Sequence, residues 1–68
     1  MSYRVMYVVE LQHECWLAPW HGDPGRTLVI DHAKLFDSEA KAKRALTMAR
    51  KYRDLPNAFV DKVRVQVV

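Results

Sequence analysis

The chain reads as a small single α+β domain of order β-β-β-α-β, one helix packed on one antiparallel or mixed sheet. Two-residue alternation of apolar and polar side chains near both ends predicts strands there, and a run of alanine and leucine at helical spacing predicts a helix between them. A length of 68 residues allows one domain, residues 1–68, with one small core and no room for a deep substrate cleft.

Tyr3, Val5, Tyr7, Val9 and Leu11 share one parity, against Arg4, Met6, Val8 and Glu10, and predict a first strand with one buried face. Gln12 and His13 separate it from a second strand over residues 14–18, making a hairpin. Pro19 has no amide to give a ladder, so the second strand ends there or lies at an edge. Asp23-Pro24-Gly25-Arg26 has the composition of a type II turn, with Pro24 fixing φ and Gly25 supplying a positive φ. A third strand follows over residues 27–30.

The helix is expected over about residues 38–54. Asp37 serves as its N-cap and Leu55-Pro56-Asn57 as its stop, because a residue before proline avoids the helical region. Ala42, Ala45, Leu46, Ala49 and Tyr52 form a narrow stripe of mostly small side chains on which the axis approaches a sheet, with Phe36 packed under the helix start. Val63, Val65 and Val67 alternate with Lys62, Arg64 and Gln66 in a last strand reaching the C-terminus.

Half of the residues are hydrophobic and only two are glycine, which excludes a disordered tail. A single cysteine, Cys15, forms no internal disulfide and makes a reducing, cytoplasmic location the expectation. No apolar run approaches the roughly 18 residues needed to span a bilayer, so neither export nor membrane insertion is expected.

Charge is concentrated rather than high. Residues 37–54 hold six basic side chains (Lys41, Lys43, Arg44, Arg50, Lys51 and Arg53) against three acidic ones, which accounts for the whole net charge of +3. The ordinary reading is the solvated outer face of a one-sided helix; the functional reading is a contact surface for an acidic protein or for phosphates. Lys43, Arg44, Arg50 and Lys51 are its candidate contacts. Trp20 lies between a proline and a turn, with Arg26 beyond, a composition common at interface hot spots, so Trp20 and Arg26 join them; the bland alternative makes Trp20 a lid over the end of the sheet. Trp16, inside a strand, reads as core or half-buried.

His13, Cys15, His21, Asp23 and His32 are competent metal ligands, but their spacing matches no structural zinc pattern, and no metal or cofactor is expected. Cys15 has no glycine-rich elbow or helix start beside it to act as an oxyanion site, so no catalytic residue and no enzyme is expected.

Trp16-Leu17-Ala18-Pro19-Trp20, Gly22-Asp23-Pro24-Gly25-Arg26-Thr27 and the helix entry Phe36-Asp37-Ser38-Glu39-Ala40-Lys41-Ala42, followed by Ala49-Arg50-Lys51-Tyr52 and Pro56-Asn57-Ala58, carry a resemblance. The combination resembles small uncharacterised proteins of bacteriophages and prophages in which a tryptophan-bearing hairpin and this turn precede one helix and a closing strand. It covers nearly the whole chain, implies a phage or bacterial origin with an accessory role, and transfers no binding residue. The expected function is a non-enzymatic binding protein that engages a host macromolecule, foremost a host protein such as a defence protein it inhibits. Direct nucleic-acid binding by the same helix, and a homodimer that pairs strand edges, are the alternatives.

Overall fold

The computed structural model describes residues 2–22 and 24–67. It is an α+β domain built from strands β1 (Ser2–Gln12), β2 (Cys15–Leu17) and β3 (Arg26–Thr27), helix α1 (Glu39–Ala49) and strand β4 (Phe59–Val67). The strands form one sheet of order β3-β2-β1-β4, and every pairing is antiparallel. One helix on this sheet is the architecture read from the two periodicities.

The helix follows its small-residue stripe. Ala42, Leu46 and Ala49 are buried and bring the axis down onto Val9, Leu11 and Leu17, with Phe36, Leu55 and Ala58 closing the core at its margins. Ser38, not Asp37, is the N-cap: its hydroxyl accepts the Lys41 amide at 3.2 Å. Asp37 instead pairs with Lys41 across the first turn. At the other end the helix stops at Ala49, well short of residue 54. The Lys51 and Tyr52 amides bond carbonyls three residues back, tightening the last turn. The Arg50 guanidinium then draws the chain back by donating to the Leu55 and Ala58 carbonyls at 3.4 and 3.1 Å, and Leu55 enters the core.

The first hairpin turns at His13 and Glu14 rather than at Gln12 and His13, with Gln12 opposite Cys15 and a register shift at Leu11. Glu14 takes a φ of 54°, the left-handed region. The third strand ends at Thr27 because its hydroxyl accepts the Val29 amide at 3.1 Å and turns the chain off the sheet; Ile30–His32 then forms a single 3-10 turn instead of continuing the strand. The segment returns to the sheet at Phe36, whose backbone exchanges two 2.8 Å hydrogen bonds with Tyr7.

Burial along β1 differs from strict parity. Val9 and Leu11 are buried under the helix, yet Tyr3 and Val5, of the same parity, are exposed because the helix does not extend over them. Val8, of opposite parity, is buried on the far face, where it shares a groove with Ile30, Ala33 and Leu35. β1 and β4 therefore run on as a two-stranded ribbon, and the molecule extends 39 Å in one direction against 22 and 20 Å in the others.

Candidate functional site

The loop between β2 and β3 is closed by the Ala18 amide donating to the Gly25 carbonyl at 2.9 Å. The expected type II turn begins at Asp23, which lies outside the described residues, and Gly25 does not have the positive φ that this turn requires. Gly25 is needed for space instead: a Cβ there would fall on the Trp20 carbonyl oxygen, and one on Gly22 would come within 2.6 Å of the Gly25 Cα. Backbone packed on backbone makes this loop compact and fixes the base of Trp20. Its indole meets His32 edge-on with ring centroids 6.4 Å apart, and about half of the residue, 49%, remains exposed.

Two residues from the far end of the helix complete an apolar surface. Met48, in the last turn of α1, and Tyr52, four residues on in the turn after it, both face the loop and are 50% and 63% exposed. With Trp20, Pro19, Ala45 and Lys34 they line a shallow depression of about 350 Å³. A second depression, about 450 Å³, adjoins it between Trp20, His21, Arg26 and Arg53. Tyr52 was expected in the buried stripe; because the helix ends at Ala49, it sits in the following turn and faces solvent.

The cations divide into two groups. Lys41 and Lys43 are held by Asp37 and Glu39 at 3.0 and 2.9 Å, and these lysines, first by hydrogen bonding and then by charge, hold both carboxyls below their usual range. Arg50 is committed to the Leu55 and Ala58 carbonyls. Arg44, Lys51 and Arg53 make no ion pair or side-chain hydrogen bond among the described residues. Arg26 is exposed, with only a 3.5 Å contact to the Pro24 carbonyl. Of the residues expected to contact a partner, Trp20 and Arg26 therefore stand together at the loop. Arg44 and Lys51 are available on the helix and the turn after it, while Lys43 and Arg50 are engaged within the fold.

Trp16 is half-buried, between Glu10 and Thr27 in the sheet. Cys15 is buried, and His13 lies in the exposed hairpin turn beside Glu14. Among the described residues no three acidic, histidine or cysteine side chains come together as a metal site, and no helix is long and apolar enough to cross a membrane. The site supplies apolar contact ringed by cations, which suits a surface carrying negative charge around an apolar or aromatic group. Met48 and Lys34 are additions to the expected contacts, and so are Tyr52, expected in the buried stripe, and Arg53, expected only as part of the basic helix region; the four-residue spacing of Met48 and Tyr52 is the one signal that pairs those two.

Compared with models of protein families, with curated proteins and with solved structures, the chain matches none.

Proposed function

We propose that this protein is a non-enzymatic binding module that docks Trp20, Met48 and Tyr52 onto an acidic surface of a host protein. Arg26 and Arg53 flank the contact, with Arg44 on the helix and Lys51 in the turn after it as further cations. The observation that carries this reading is the convergence of three half-exposed large apolar side chains, from two segments distant in sequence, beside the exposed Arg26 and beside Arg53, which makes no ion pair or side-chain hydrogen bond among the described residues. Exposed tryptophan, tyrosine and arginine in one patch have the composition of an interface hot spot, and unpaired positive charge at the rim selects acidic partners and speeds encounter. The resemblance to small phage proteins supports a host protein as the partner, such as a defence protein blocked by binding, met in a reducing cytoplasm where Cys15 stays a thiol.

The test is capture from a bacterial lysate with and without nuclease, in low and high salt. One protein recovered in stoichiometric amount after nuclease supports the proposal. Recovery that vanishes with nuclease and falls steeply with salt overturns it in favour of phosphate contacts, with Trp20 and Tyr52 as stacking surfaces.

A further inference from the structure

We propose that two copies of this chain pair antiparallel through β4, about a two-fold axis at Val65, to form a continuous eight-stranded sheet. β4 is an edge strand nine residues long. Within the sheet its outer end is hydrogen-bonded to β1 alone: residues 2–5 are all exposed, as are Arg64, Gln66 and Val67 opposite them. A two-stranded ribbon is marginal in water, and a third strand is what ordinarily stabilises one. The ribbon also leaves Tyr3 59% exposed, and it carries Val63, Val65 and Val67 in a row on the face away from the helix.

The backbone says which part of the edge is open. Tyr7 directs its N–H and C=O to Phe36, away from β4, so alternation turns the backbone groups of its partner Lys62, and of Arg64, to the outer edge. The Lys62 amide is already taken by the Asp61 carboxylate at 2.9 Å, which guards the inner half of the strand. Arg64, further out, has no such guard among the described residues.

Charge then selects the register. A two-fold axis normal to the sheet keeps each face on its own side, so odd residues meet odd and even meet even. Registers pairing at least five strand residues are centred on residues 61 to 65. Centring on Asp61, Lys62 or Arg64 sets that charge against its own copy, and centring on Val63 sets Lys62 against Arg64 twice. Centring on Val65 places no like charges opposite: Arg64 meets the neutral side chain of Gln66, Val63 meets Val67, and Val65 meets itself. Six valines then form one apolar row across the axis. The Trp20 site adjoins the opposite edge of the sheet, so the two proposals stand or fall separately.

Five residues a side make a small interface, so the dimer is weak, with dissociation in about the micromolar range or above. Sedimentation equilibrium of the full chain up to about 0.5 mM, a range set by that affinity class, reads it. Gln66→Glu puts a carboxylate opposite each Arg64 and should tighten the dimer about tenfold, whereas Gln66→Arg should loosen it by a similar factor. As an independent reading, Val65→Cys on a Cys15→Ala background should oxidise to a covalent dimer and Lys62→Cys should not. A monomer at every concentration, or a dimer that responds alike to both signs of charge at position 66, overturns the proposal.

Discussion

Gly25 lies against the carbonyl of Trp20 so closely that any side chain at position 25 would collide with it. The obstacle is backbone, not the movable end of a side chain, so the loop itself must shift. Gly25→Ala should destabilise the domain by about 1–3 kcal/mol, the range of overpacked sites. Urea unfolding gives the loss, and a changed tryptophan emission would report that Trp20 has moved with the loop. Wild-type stability and emission would show that the loop is not packed as described.

Arg50 acts inside the fold. Arg50→Met keeps much of the aliphatic stem and removes both hydrogen bonds to the Leu55 and Ala58 carbonyls. A loss of about 1–3 kcal/mol is expected for bonds from a charged donor, toward the lower end because the pair is only partly buried. Denaturant titration measures it; a change within about 0.5 kcal/mol, typical of ordinary surface positions, would return Arg50 to the set of candidate partner contacts.

Glu14 is the only described non-glycine residue at positive φ. The left-handed conformation costs a side-chain-bearing residue roughly 1–2 kcal/mol, partly offset by the extra freedom glycine has when unfolded. Glu14→Gly should therefore raise stability by about 0.5–1 kcal/mol, read as a higher denaturant midpoint with an unchanged slope.

Asp37 and Glu39 give the helix start a defined pH dependence. Both carboxyls titrate below their usual range in the folded chain, so their contribution is fully present above the unfolded value, near 4, and is lost as pH falls through the lower folded value. Both pairs are exposed and the effect is small. Carboxyl chemical shifts followed by NMR should show Lys41→Ala returning Asp37 toward its ordinary range while Glu39 stays low. Lys43→Ala should do the reverse.

What could be read in the residues beforehand was periodicity. The Ala42, Leu46 and Ala49 spacing placed the helix and its buried face, and alternation placed β1 and β4. The misses came from single local contacts that redirect the backbone: the Thr27 hydroxyl that ends β3, the Arg50 guanidinium that pulls the chain back after α1, and the backbone crowding at Gly25. None of these has a period. Val8 looked solvent-facing because its parity was set by β1 alone, without the segment that crosses behind it. Half of the candidate site was legible in the Trp20 to Arg26 loop. The other half, Met48 and Tyr52, lies about thirty residues further along and meets the loop only through the packing of α1 on the sheet.

That meeting of Trp20 with Met48 and Tyr52 is the central claim, and side-by-side capture from the same nuclease-treated lysate tests it most directly. The baits are the wild-type chain, a Trp20→Ala/Tyr52→Ala double variant and an Arg64→Ala control, each first shown to be folded by circular dichroism. The account predicts one captured protein that is retained by the control and reduced at least tenfold with the double variant, the loss expected when two anchor side chains of a hot spot are truncated. Equal recovery on the double variant and the wild type would contradict it and place the contact elsewhere on the molecule.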